Sequence, residues 1–129
     1  MVRRILSAAL IGMALLGTAP AMAGGSIGVT VSASNADGRR AISRFLQVYT
    51  AGNAAVEVIQ KGSGNAAAVS QTGRGNRAVV SQRGADHRAT VYQRGRGNRL
   101  GVFQFGEATD ANVTQTGRRG ASLIFMGGW

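Results

Sequence analysis

The chain has 129 residues, enough for one domain, with 15 Lys and Arg against 5 Asp and Glu and a formal charge of +10. It has no Cys, one His, one Pro and 20 Gly, which excludes a disulfide framework and a structural zinc site. The five carboxylates are scattered, so paired acid–base catalysis has no support, and with few aromatics a conventional globular core is poorly supplied.

Met1-Val2-Arg3-Arg4 is a short basic start, Ile5 to Leu16 is almost wholly apolar, and Ala21-Met22-Ala23 is a small-x-small cleavage site. Residues 1–23 therefore read as a secretory signal removed after Ala23; the apolar run falls short of the roughly 20 residues that cross a bilayer. Residues 24–53 follow as a less regular segment. Gly24 to Gly38 is rich in Gly, Ser and Ala and is expected to be flexible. Ser43 to Tyr49 reads as a degenerate first strand, because Tyr49 lies 11 residues before Gln60.

Residues 54–126 are a repeat. Gln60, Gln71, Gln82, Gln93, Gln104 and Gln115 stand 11 apart. Two places after them come Gly62, Gly73, Gly84, Gly95, Gly106 and Gly117. Five places on stand Asn65, Asn76, His87, Asn98, Thr109 and Gly120. Seven on come Ala67, Ala78, Ala89, Leu100, Ala111 and Ser122, and nine on Val69, Val80, Val91, Val102, Val113 and Ile124. Offsets of five, seven, nine and eleven differ by two, so these side chains share one face of a β-strand. A helix of this period would carry two costly glycines per repeat, at about 1 kcal/mol each. The unit is thus a strand of about seven residues and a Gly-rich turn of about four. It predicts strands at 54–60, 65–71, 76–82, 87–93, 98–104, 109–115 and 120–126, then a tail at 127–129.

An antiparallel meander would scatter identical residues. A β-solenoid of strand–turn–strand coils, with two parallel sheets and 22 residues per coil, stacks them at about 4.8 Å. Gln71 then lies under Gln93 and Gln115, and Asn76 under Asn98. Such amide ladders bond along the stack and let polar groups fill the interior. No capping element is visible in the repeat, so both ends expose unpaired strand edges on which another copy can add. The expected function is self-association.

Gln60-Lys61-Gly62-Ser63-Gly64-Asn65-Ala66-Ala67-Ala68-Val69-Ser70-Gln71 resembles the curlin repeat, and Gln71 to Gln82 and Gln93 to Gln104 fit the same pattern. The resemblance implies a subunit of a curli-type amyloid fibre on a bacterial surface, serving adhesion and biofilm matrix. It also implies other curlin subunits and an outer-membrane curli secretion channel as partners, with the N-terminal segment recognised by the channel. Basic repeats and a degraded last unit resemble the minor nucleator more than the major subunit. The sequence departs from the pattern at Asp86-His87, at Glu107-Ala108-Thr109 and at Met126, where a seventh Gln was due.

The stacking also sorts charge. Arg74, Arg77, Arg94, Arg96, Arg99, Arg118 and Arg119 fall on one edge without an acid, whereas Lys61, Arg83 and Arg88 on the other meet Asp86, Glu107 and Asp110. An Arg strip suits a polyanion such as extracellular DNA, lipopolysaccharide phosphate or acidic polysaccharide. A soluble basic solenoid binding such polymers is the alternative to a fibre subunit. Phe103 and Phe125 point outward 22 residues apart, as fibre-packing or surface cover. His87 reads as a turn or ladder residue, and no enzyme, cofactor or metal is expected. The Gly-x-Gly groups at 62–64, 73–75 and 95–97 lack the strand–helix setting of a nucleotide loop.

Overall fold

The computed structural model describes residues 25–50 and 55–129. The expected signal at 1–23 lies outside them. The repeats form a series of strands that alternate between two sheets: β2 (Val56–Ser63), β3 (Ala66–Thr72), β4 (Arg77–Ala85), β5 (Arg88–Arg96), β6 (Arg99–Glu107), β7 (Asp110–Arg118) and β8 (Ala121–Gly128). Even-numbered strands pair in parallel as one sheet and β3, β5 and β7 as a second. Every rung joins residues 22 apart, as in Val58↔Val80, Val80↔Val102 and Val102↔Ile124. The chain is thus a β-solenoid of about three coils.

Between the sheets lie Ala78, Val80, Ala89, Val91, Leu100, Val102 and Ala111, all at most 4 % exposed. These mostly small apolar side chains let the two sheets close on one another. The strands start one or two residues later than the spacing predicts and run past the Gln. The Gly two places after the Gln lies outside its strand only at Gly73; elsewhere it does not end the strand, and Gly62↔Gly84 and Gly95↔Gly117 remain rungs. With φ of 119° at Gly84, it bends the strand into the corner instead. The chain then reverses over two residues at most connections, the first of them left-handed. Asp86, Ala108 and Arg119 take this conformation with φ of 61°, 55° and 55°, so the irregular turns keep the geometry of the Gly turns.

The segment before the repeats is ordered, contrary to the expectation of a flexible stretch and a strand at 43–49. It forms β1 (Ser26–Ser32) and a helix, α1 (Ala36–Gln47). Asn35 caps the helix by accepting the Gly38 N–H at 2.9 Å. Asp37 sits in the first turn and Arg44 in the last, matching the helix dipole. Ile42 and Leu46, four apart, are buried on one face. The 11-residue interval from Tyr49 to Gln60 carries no strand register; helical spacing wins because Ile42, Phe45, Leu46 and Tyr49 have an apolar surface to cover.

That surface is the outer face of the first sheet, where Val79, Phe103 and Leu123 pack against Ile42 and Leu46 as a second core. Phe103 and Phe125 stack at 5.2 Å between centroids and 17° between planes. Phe45 meets Phe103 edge-on at 5.6 Å, and Tyr49 lies 5.0 Å from Phe103. Phe103 is 2 % exposed, so it is covered by the chain's own helix rather than free for fibre packing. Meanwhile β1 pairs antiparallel with β8, from Ser26↔Gly128 to Ser32↔Ser122. The expectation of two open ends is corrected on this sheet: the N-terminal arm closes the β8 edge.

Candidate functional site

The repeat strands bring the Gln side chains into two columns inside the coil. In the first sheet Gln60 Nε2 donates to Gln82 Oε1 at 2.8 Å, and Gln82 to Gln104 at 2.8 Å. In the second, Gln71 donates to Gln93 at 2.6 Å and Gln93 to Gln115 at 2.9 Å. Each Nε2 from Gln71 onward gives its other hydrogen across the interior to a carbonyl 16 residues earlier: Gln82 to Ala66, Gln93 to Arg77, Gln104 to Arg88. One carboxamide therefore bonds along the stack and also ties the two sheets together.

The Asn residues also stack, but they do not bond amide to amide. Asn76 Oδ1 accepts the backbone N–H of Asn98 at 3.0 Å, and Asn98 Oδ1 that of Gly120 at 3.0 Å. Asn76 Nδ2 donates to the carbonyls of Thr72 and Gly95, each at 3.1 Å. The reason is the turn: its backbone groups lack a strand partner, and a short amide satisfies them. Asn65 serves the His87 N–H in the same way. Among the described residues no buried side-chain N or O lacks a partner.

Ala67, Ala78 and Ala89 with Val69, Val80, Val91, Val102 and Val113 fill the space between the columns. The corner glycines leave no room for a side chain. A Cβ at Gly62, Gly73, Gly84 or Gly95 would overlap the carbonyl of the Gly one rung on, and at Gly106 that of Gly128. Gly117 alone among these has nothing within 4 Å, because no strand follows β7 in its sheet.

Among the described residues three parallel edges are unpaired: β2 and β3 at the first coil and β7 at the last. Val56 and Val58 are 39 % and 41 % exposed there. Gln60 Oε1 accepts no described bond, while Gln115 Nε2 has given one hydrogen, to Arg99 O. One end of the coil thus offers an acceptor where the other offers a donor. In the first sheet the column stops at Gln104, which faces Met126 and turns its second hydrogen to Thr109 O at 3.2 Å.

Arg96↔Arg118 and Arg77↔Arg99 are rung neighbours, the Arg74 carbonyl accepts the Gly97 N–H at 3.0 Å, and Arg94 faces Thr116. Burial, and then the charge of Arg77, pull the Arg99 guanidinium below its ordinary pKa. Arg88 is in register with Asp110, yet the ion pair among the described residues is Arg40–Asp37 at 4.0 Å.

The arm's cover was missed from sequence, although a signal existed. Outward positions of the first sheet include Val79, Phe103, Leu123 and Phe125, whereas those of the second include Ser70, Thr90, Tyr92, Asn112 and Thr114. Only an apolar face asks for a cover. The family model of the curlin associated repeat matches residues 52–84 and 84–117. No curated protein and no solved structure matches the chain.

Proposed function

The chain belongs to the curlin family, and on that footing we propose that it is a subunit of an extracellular curli-type amyloid fibre that grows by adding coil to coil. Curlin repeats on a β-solenoid make a structural subunit rather than an enzyme. The observation that carries the growth mechanism is the complementarity of Gln115 Nε2 and Gln60 Oε1 at opposite ends of the coil.

Seven strands, β2 to β8, alternate between two sheets. Because the number is odd, a following copy continues the alternation when turned by half a turn about the stack axis. Its β2 then adds to the free edge of β7, with Gln60 above Gln115 and Gly62 above Gly117. Its β3 falls above β8, where β1 lies in the single chain. Completing the joint therefore requires β1 to leave, so the arm holds one growth edge closed. The joint carries one amide column instead of two, since Met126 offers no amide.

The same reading takes residues 1–23 as an export signal, the curli secretion channel as the route out, and adhesion and biofilm matrix as the role. A nucleator role fits the basic repeats and the irregular last unit. The test is polymerisation of signal-free protein after dilution from denaturant, followed by thioflavin fluorescence and fibre diffraction with and without seeds. A seeded rise with a reflection at about 4.7–4.8 Å supports the reading. A short lag, with seeding of a second curlin subunit, supports the nucleator. A clear, monomeric, β-rich solution over days overturns polymerisation and leaves the polyanion-binding solenoid.

A further inference from the structure

A cationic hollow lies where the arm meets the coil. Arg39 and Ser43 of α1, Gly97 and Arg99 at the start of β6, and Arg119 between β7 and β8 line an open cavity of about 230 Å³. No carboxylate and no aromatic ring is among its lining residues. Arg99 is half-buried and fixed by donating from Nη1 to the Gly75 and Asn98 carbonyls, which leaves its other donors uncommitted. Arg119 is held by its backbone, whose N–H donates to Arg96 O at 2.8 Å. Like charges brought together in a concavity, without an acid, are a site waiting for an anion.

We propose that this hollow binds a phosphate-type tetrahedral oxyanion, shared by Arg39, Arg99 and Arg119, which ties the arm's helix to the coil. Guanidinium forks bind such oxygens in charge-assisted, often bidentate pairs, and the Ser43 hydroxyl supplies a further donor. With no ring to stack on a base, recognition stops at the charge. The ligand is thus a free phosphate ion or the phosphomonoester end of a larger molecule. Its effect is structural: two of the three guanidiniums belong to the coil and one to the arm, so the anion resists opening of the arm. This does not depend on whether the chain polymerises.

The test is hydrogen exchange at residues 36–47 of the full chain, kept dilute, in sodium phosphate and in sodium chloride of equal ionic strength. Phosphate at ten times its dissociation constant should slow helix exchange about tenfold, and chloride should not. Arg39→Gln on the arm and Arg119→Gln on the coil should each remove the effect, while Arg74→Gln, outside the hollow, should keep it. Glucose 6-phosphate matching inorganic phosphate would identify phosphomonoester ends as ligands; protection by inorganic phosphate alone would identify the free ion. Equal protection in chloride, no protection by phosphate, or full protection in both hollow variants would overturn the proposal.

Discussion

His87 Nδ1 accepts the backbone N–H of Thr109 at 3.3 Å and lies 2.7 Å from the Thr109 hydroxyl, one rung on. Its Nε2 lies 2.9 Å from the Arg83 carbonyl, which can only accept, so the proton sits on Nε2. This reproduces Asn76, whose Oδ1 takes the next rung's N–H and whose Nδ2 serves the carbonyl four residues back. The ring is a longer Asn. His87→Asn should therefore keep the fold. His87→Ala should lose about 1–3 kcal/mol by equilibrium unfolding, because it leaves buried backbone groups unpaired.

Gln82 and Gln60 occupy one column but differ in setting. Gln82 is fully buried and bonded on both sides, whereas Gln60 is exposed and bonded on one. Gln82→Ala should destabilise the isolated chain by about 2–4 kcal/mol, from the unpaired neighbours and the cavity. Gln60→Ala should change that stability by about 1 kcal/mol or less, yet slow seeded growth, because its free oxygen belongs to the joint. Equal effects of the two on unfolding and on growth would contradict the assignment.

Gly117→Ala separates the fold from the joint. Its φ of 113° makes an L side chain strained, at about 1–3 kcal/mol, but no atom stands in the way within the chain. The variant should fold and then fail to elongate seeds, since its methyl group meets the next copy's Gly62. Gly95→Ala bears the same strain and also overlaps the Gly117 carbonyl, so it should lose the coil itself. Circular dichroism and thioflavin growth curves distinguish the two.

Leu46 anchors the arm at 1 % exposure. Leu46→Ala should weaken arm packing by about 2–4 kcal/mol, raising exchange in α1 while the Gln-bearing strands keep their protection. Because the arm covers the β8 edge, the same variant should shorten the lag of polymerisation. A lengthened lag would show that the arm promotes the joint.

The coil was legible because its inward residues obey two rules at once, a step of two along the strand and of 11 between strands. Strand ends were misplaced because the Gly after the Gln signals a turn in sequence but, at all these positions except Gly73, serves as a bent rung in the sheet. The Asn contacts were hidden for a related reason: stacking predicts which residues meet, while free backbone groups decide what they bond. The arm was illegible from its own residues. A 12-residue helix with Gly38 and three Arg has little intrinsic stability; what forms it is an apolar sheet face more than 30 residues away in the chain.

The antiparallel pair of β1 and β8 joins residues such as Ser26 and Gly128. Parallel rungs of the coil close loops of 22 residues, whereas this pair closes one of about a hundred. That adds roughly 1.4 kcal/mol of chain entropy and places its formation last. The strand synthesised first is the one that must wait longest for a partner. A chain interrupted just before Ala121 still has β2 to β7 but leaves β1 unpaired and Phe103 without Phe125 beside it. The first strand thereby tests whether the last has been made.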